Sequence, residues 1–264
     1  MKNYLVIGSP IDHSLSPKIH NYWFNKYNIK AFYDKLEPSV EDFENLIKKV
    51  REKEIQGINV TVPYKEKIIP FLDSLSAEAR ESESVNTIYL SGKQVEGHNT
   101  DIYGFYMSLK DLLNSKGKKT FIIGAGGVTP SIIISLKKLG ASEIIVTNRT
   151  KERVIKLKEK FNFLESAEWG KTLNADMVIN TTSLGLNKND KIDLNYEIFT
   201  KKTLFYDLIY NPKETDFLKK AKLKNHAIQN GLMMFVYQAA EAFKIWHDIK
   251  PEINDELLKY LDND

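Results

Sequence analysis

Thr120-Phe-Ile-Ile-Gly124-Ala125-Gly126-Gly127-Val128-Thr129-Pro130 lies near the middle of the chain, and its reading decides the fold. A short apolar run ends on a glycine cluster, and a helical pattern opens directly behind it. Strand, turn and helix in that order are the context a dinucleotide-binding turn requires. Glycines there let main-chain N–H groups approach a pyrophosphate placed at the helix N-terminus. A sharp structural turn without a ligand gives the same short motif, so the flanks carry the weight. About 120 residues precede it, enough for a separate domain. The chain reads as a nucleotide-binding half joined to a half with another task.

Downstream the order repeats: strand 120–123, helix 128–139, strand 143–147, helix 151–161 and strand 176–180, then strand 203–208, helix 213–221 and strand 225–228. Such βα alternation predicts a mostly parallel sheet with helices on both faces. Upstream the alternation is also α/β. Tyr4–Gly8 reads as a strand, Pro17 starts a helix, and Ala31–Leu36 is a second strand. Ser39 caps the next helix with Asp42 as its partner, and Phe43, Leu46, Ile47 and Val50 supply the apolar stripe. Ile58–Val62 is a third strand ended by Pro63, residues 65–81 read as helix kinked or broken at Pro70, and 87–90 with 94–96 form a hairpin around Ser91-Gly92-Lys93. Phe105, Leu109, Leu112 and Leu113 mark a helix after Asp101. The last long helix, 231–246, is apolar nearly all round, which predicts burial between the domains or against the first one.

Composition narrows the class. Of 264 residues 42% are hydrophobic, ample for a core, and the net charge of +3 comes from 38 Lys and Arg against 35 Asp and Glu. That surplus is spread along the chain, which argues against a nucleic-acid surface. With no cysteine there is no disulfide, thiolate nucleophile or Cys-held metal, and the five histidines show no metal-ligand spacing. Met1-Lys-Asn-Tyr-Leu-Val-Ile-Gly8 turns polar after four apolar residues, too soon for a signal peptide, and no stretch approaches membrane-spanning length. The expectation is a cytoplasmic protein with neither a nucleic-acid nor a membrane partner.

The second strand of the nucleotide unit, Ser142–Thr147, is followed by Asn148-Arg149-Thr150-Lys151, with Arg153 close behind. An NAD site usually has an acidic residue there for the ribose hydroxyls. An acid would repel a ribose 2'-phosphate, whereas Arg149 can grip it through a bidentate fork. Thr150 can donate a hydroxyl to it or cap the next helix. Surface charges and a cap are the plain alternative. Joined to the glycine turn, the pattern favours NADP over NAD.

These residues belong to a longer series. It begins with His13-Ser14-Leu-Ser16-Pro17 and His20, followed by Gly57-Ile-Asn59-Val-Thr61-Val-Pro63-Tyr-Lys65. Val85-Asn86-Thr87 and Gly97-His-Asn99-Thr-Asp101 come next. After the glycine turn and Asn148-Arg149-Thr150 stand Asn180-Thr181-Thr182-Ser183-Leu-Gly185, Asp207-Leu208-Ile-Tyr210-Asn-Pro212, and Asn230-Gly231 through Gln238. In this order the chain resembles the shikimate dehydrogenase family nearly end to end. The resemblance implies an α/β fold with an N-terminal substrate domain (1–101, a mostly parallel sheet), a Rossmann-like NADP(H)-binding domain (102–235), and C-terminal helices (236–264) returning to the first. It implies reversible reduction of 3-dehydroshikimate to shikimate on the way to chorismate and the aromatic amino acids.

Site residues carry over position by position. Ser14 and Ser16 match hydroxyls that hold the substrate carboxylate; Thr61, Asn86, Asp101, Tyr210 and Gln238 match other substrate contacts, with Asn59 in support. Lys65 matches the catalytic lysine and Asp101 its partner. On the cofactor side stand Gly124, Ala125, Gly126, Gly127, Asn148, Arg149, Thr150, Arg153, Thr181, Thr182, Ser183, Leu208, Gly231 and Met234; no metal is implied. The chemistry is coherent without the family. A small polyhydroxylated acid needs several fixed hydrogen-bonding groups, and the protein must manage one proton on the reacting oxygen. Lys65 either exchanges that proton or stays charged and polarises the carbonyl.

Taken singly, each residue has an ordinary reading. Lys65 would be a solvent-facing lysine, Asp101 a helix cap, Gln238 the partner of a main-chain carbonyl, and Met233 and Met234 core. Three stretches depart from the family's usual pattern: Val128-Thr129-Pro130 after the turn, Glu83-Ser84 before Val85, and Ala77 beside Glu78. The nearest rival is a quinate or dual quinate/shikimate dehydrogenase, which paired serines at 14 and 16 disfavour. A rival of another class is a non-catalytic nucleotide or metabolite sensor, which Lys65 together with Asp101 disfavours. Monomer and homodimer are both open.

Overall fold

A computed structural model describes residues 1–110, 117–200 and 202–262. The chain forms two compact units, Met1–Gly104 with Val236–Asp264, and Phe105–Phe235. It changes unit inside helix α4 (Asp101–Lys110) and again inside α8 (Leu232–His247).

The first unit holds β1 (Lys2–Ile7), α1 (Ser16–Lys26), β2 (Ala31–Leu36), α2 (Phe43–Arg51), β3 (Gly57–Val60), β4 (Ser74–Leu75), α3 (Ala77–Ser82), β5 (Thr87–Ser91), β6 (Gln94–His98) and, from the other end of the chain, α9 (Asp255–Asp262). Its sheet runs β2-β1-β3-β5-β6-β4. β1 pairs in parallel with β2 and β3, and β4 with β6, while the β5–β6 hairpin runs antiparallel to β3. The predicted stripe of α2 is buried on this sheet with Ile58, Val60, Ile88 and Val95. Ser39 and Asp42 form a capping box, though a short 3-10 turn at Val40–Asp42 comes before α2. The C-terminal half of α8 packs on the same unit: Phe243 meets Trp23 and Phe24, and the Trp246 indole donates to Ile88 O at 3.2 Å.

The second unit is an all-parallel sheet of order β12-β11-β10-β7-β8-β9. Its strands are β7 (Lys119–Ile123), β8 (Glu143–Thr147), β9 (Glu165–Ser166), β10 (Met177–Asn180), β11 (Leu204–Asp207) and β12 (Ala227–Gln229). The helices α5 (Thr129–Lys138), α6 (Lys151–Lys160) and α7 (Asp216–Leu223) connect them. β7 sits centrally, with Phe121, Ile122 and Ile123 buried on both faces, as expected of an interior parallel strand.

Several sequence expectations need correction. Residues 65–81 are not a helix: a 3-10 turn at Ile69–Phe71 and strand β4 precede the short α3. Asp73 N donates to Val95 O, and the Asp73 carboxylate takes Val95 N at 2.7 Å and the Arg51 fork, so the segment after Pro70 is drawn onto the sheet. Ser76 then caps α3 through Ala79 N. β3 stops at Val60, short of Val62, because Thr61 O accepts Tyr64 N in a turn. Helix 213–221 begins at Asp216, where Thr215 caps it. Asp101 lies inside the first turn of α4 rather than ahead of it. Leu112 and Leu113 lie outside the described residues. The α8 face is less uniformly covered than its composition suggests, since Lys244 is exposed. No described helix is long and apolar enough to cross a membrane.

Candidate functional site

Lys65 stands in the loop behind β3. Its main-chain carbonyl accepts Val85 N at 2.9 Å, and Tyr64 beside it is tied to Pro38 O at 2.6 Å. Its ammonium lies 2.6 Å from Asp101 Oδ2, with side chains only 11% and 7% exposed. Asp101 opens α4, where the helix dipole favours a carboxylate, and its N–H donates to Asn99 Oδ1 at 3.0 Å. Its other oxygen accepts Asn86 Nδ2 at 3.0 Å. A charge pair this buried is strong only when its remaining lone pairs are filled, and Asn86 fills one.

Asn86 is the hub of the cluster. Its amide also reaches Thr100 Oγ1 at 3.0 Å and Gln238 Oε1 at 3.4 Å, while its Oδ1 accepts from Thr100 N and Thr87 Oγ1. Asn59 lies behind it, donating to Asn86 O and Thr87 Oγ1 and accepting the Tyr33 hydroxyl at 2.7 Å. Tyr33 is fully buried and stacks flat on His20, with ring centroids 4.5 Å apart. Its hydroxyl also takes a hydrogen bond from the Ser16 side chain, and burial raises its pKa well above the usual phenol range. Ser14 Oγ accepts Ser16 N at 3.3 Å at the start of α1. Ser16, Asn59, Asn86, Asp101, Lys65 and Gln238 thus form one hydrogen-bonded set in the first unit. Thr61 is in the loop leading to Lys65, and Tyr210 belongs to the second unit, where its ring packs 4.9 Å from Phe235. The sequence reading missed Tyr33; the only signal was a tyrosine in a strand, too common to single out.

In the second unit the glycine turn is fixed by close packing. Gly124 has φ +120°, and a Cβ there would lie 2.4 Å from Thr181 Oγ1. Only glycine fits that position without displacing the loop behind β10. Ala125 N donates to Asn148 Oδ1 at 3.2 Å and Gly126 N to Thr129 Oγ1 at 3.1 Å. Asn148 Nδ2 continues to Thr150 O, so the turn and the loop after β8 are tied together. Thr150 occupies the N-cap position of α6, but its side chain makes no capping bond. Arg149 and Arg153 are exposed and make no ion pair among the described residues. A close main-chain turn beside exposed guanidinium groups fits a nucleotide carrying an extra phosphate.

The loop after β10 is built by Asn180, whose Oδ1 accepts Thr182 N and Thr182 Oγ1 and whose amide reaches Asp207 Oδ1 and Leu184 O. Ser183 follows in the same loop. Asp207 is fully buried, and burial pushes its carboxyl up to about 6 despite bonds from Thr215, Ile209 N and Asn180. Leu208 and Gly231 meet directly: a Cβ on Gly231 would lie 1.9 Å from Leu208 O. Met234 is buried in the next turn of α8. Asn180 and Asp207 each end a strand, which in sequence alone is unremarkable; their partners show that they build the two loops. No group of His, Cys, Asp or Glu among the described residues could hold a metal ion.

Three family models match in series along the chain: the shikimate dehydrogenase substrate binding domain over residues 6–88, shikimate / quinate 5-dehydrogenase over 107–216, and the shikimate 5'-dehydrogenase C-terminal domain over 231–254. The shikimate dehydrogenase (NADP(+)) of Pelagibacter ubique is 52% identical over 262 residues, covering 99% of each chain. The crystal structure of shikimate dehydrogenase from Aquifex aeolicus superposes with a TM-score of 0.90 at 37% identity, covering 100% of this chain and 98% of that one. The Thermus thermophilus shikimate 5-dehydrogenase in complex with NADP(H) and shikimate gives a TM-score of 0.90 at 32% identity, covering 99% of each.

Proposed function

This chain belongs to the shikimate dehydrogenase family, and we propose that it reversibly reduces 3-dehydroshikimate to shikimate with NADPH, on the route to chorismate and the aromatic amino acids. The first unit holds the substrate and the second the cofactor. The observation that carries the reading is the buried Lys65–Asp101 pair at 2.6 Å, braced by Asn86.

NADPH, when bound, supplies the hydride. The chain supplies everything else. Ser14 and Ser16 hold the substrate carboxylate through their hydroxyls, the single Ser16 proton turning from Tyr33 to the carboxylate when substrate is bound. Lys65 sits at the reacting oxygen, where its N–H offers a proton or a fixed positive charge as negative charge develops. Asp101 keeps Lys65 in place and accepts from the neighbouring substrate hydroxyl, so reacting groups are ordered before the hydride moves. Asn86, Thr61, Gln238 and Tyr210 pair the remaining substrate oxygens, with Asn59 supporting Asn86. A ring alcohol lacking one of these hydroxyls leaves a protein group unpaired, and selectivity arises there.

Gly124, Ala125, Gly126 and Gly127 shape the turn for the pyrophosphate, and Asn148, Arg149, Thr150 and Arg153 take the adenosine ribose and its 2'-phosphate. Thr181, Thr182, Ser183, Leu208, Gly231 and Met234 line the nicotinamide end. The enzyme works in the cytoplasm as a monomer or homodimer, a choice that sedimentation velocity decides. The test of the reaction is the absorbance of reduced nicotinamide with shikimate or quinate offered alongside NADP or NAD. Shikimate with NADP is the expected pair. Turnover with none of the four would sink the enzyme in favour of a silent sensor, and preference for quinate with NAD would overturn substrate and cofactor together.

A further inference from the structure

Val128-Thr129-Pro130 follows the glycine turn, and Thr129 is fully buried there. Its hydroxyl has three neighbours. It accepts Gly126 N at 3.1 Å, lies 3.3 Å from Gly124 O, and lies 3.0 Å from the hydroxyl of Thr181. Thr181 Oγ1 in turn donates to Ile123 O at 3.1 Å, on the strand that feeds the turn. The main chain closes the same ring, since Thr129 N donates to Gly126 O at 3.0 Å. Gly124 is gripped between the two threonines, because the place where its Cβ would stand lies 2.4 Å from Thr181 Oγ1.

Every polar atom in this arrangement has a partner with a consistent proton. Thr181 gives its proton to Ile123 O, Thr129 gives its own to Thr181 or Gly124 O, and Gly126 gives its N–H to Thr129. The N–H groups of Ala125 and Gly126 are therefore occupied inside the protein, by Asn148 and Thr129. Pro130 has no N–H to offer. The shape of the turn, more than a full set of outward amides, is what this chain presents to a pyrophosphate.

We propose that Thr129 and Thr181 form a two-hydroxyl clamp that sets the shape of the glycine turn, with Thr129 a positioning residue for the cofactor pyrophosphate. The proposal rests on the reading of the second unit as the NADP(H) site. Thr181, which also lines the nicotinamide end in the reading above, holds the turn through its hydroxyl.

The test is an NADPH fluorescence titration of the full chain, with thermal melts taken without cofactor. Thr129→Val keeps the shape and removes the hydroxyl, leaving the half-buried Gly126 N–H without its acceptor. The NADPH dissociation constant should rise roughly tenfold. Thr129→Ser restores the hydroxyl and should bind within about twofold of the parent. Should the valine variant not fold, Thr129→Ala, which relieves any crowding, should show the same rise. A folded valine or alanine variant that melts early yet binds NADPH like the parent overturns the proposal, because a merely structural hydroxyl would behave so. A serine variant as weak as the valine one also overturns it. Failure of the parent chain itself to bind NADPH would instead sink the cofactor reading beneath it.

Discussion

The two polar clusters solve opposite problems. In the first unit a charged pair is buried, and each member is held by named side chains: Lys65 by Asp101, Asp101 by Asn86, Asn86 by Thr100 and Thr87. In the second unit the cations Arg149 and Arg153 are exposed and unpaired among the described residues, and what is held rigidly is main chain. Buried, pre-paired charge suits a reacting centre, where placement must exist before the ligand arrives. Exposed, unpaired charge suits a binding contact that forms only with the ligand and gives up no internal partner. In the proposed reading, chemistry and affinity thereby fall to different units.

Mutations can break that contrast in order of size. Lys65→Ala removes the group we propose at the reacting oxygen and should lower turnover by about a hundredfold or more, with NADPH affinity nearly unchanged. Steady-state rates beside an NADPH titration check both halves. Arg149→Ala should do the reverse, raising the KM for NADP by about tenfold or more while leaving turnover at saturation and the KM for NAD little altered. If NADP and NAD are then affected alike, Arg149 does not read the 2'-phosphate.

Tyr33→Phe sharpens the comparison from inside the first unit. The ring stack on His20 survives, but Asn59 Oδ1 loses its donor and Ser16 its acceptor. A roughly tenfold fall in kcat/KM for shikimate is expected; a value close to the parent's would mean that Asn59 is held by its other bonds alone. NADPH affinity should not change.

Asp207 tests the second unit through stability. Its carboxyl is raised to about 6, so the folded state holds the proton more tightly than the unfolded chain does. The associated stability is fully present below the unfolded value near pH 4 and is lost as pH rises through about 6. Above that, the ionised carboxylate costs the fold about 3 kcal/mol. Asp207→Asn, whose amide can still face Thr215 and accept from Ile209 N, should gain stability on the parent by up to that amount between about pH 4 and pH 8. Urea midpoints at both ends of the range check it, and a parallel pair of curves would remove Asp207 as the cause.

What the sequence revealed follows its local physics. The fold of the second unit is nearly transparent because βα alternation and a glycine turn are local signals. Residues 65–81 misled because helical spacing there competes with Asp73, whose partners Arg51 and Val95 are far along the chain. The candidate pair was visible only as two motifs 36 positions apart, and their junction at 2.6 Å is a product of the fold. Tyr33 and Thr129 escaped for the same reason: each is defined by a hydroxyl whose value depends on what surrounds it. Residues that touch a ligand tend to advertise themselves in motifs, whereas residues that hold those motifs still do not.

The most direct measurement is turnover of folded Lys65→Ala at saturating shikimate and NADP, with NADPH binding measured on the same sample. At least a hundredfold loss is predicted, with a dissociation constant within about twofold of the parent's. Near-parental turnover, or a loss explained by failure to bind NADPH, would contradict the placement of the chemistry in the first unit.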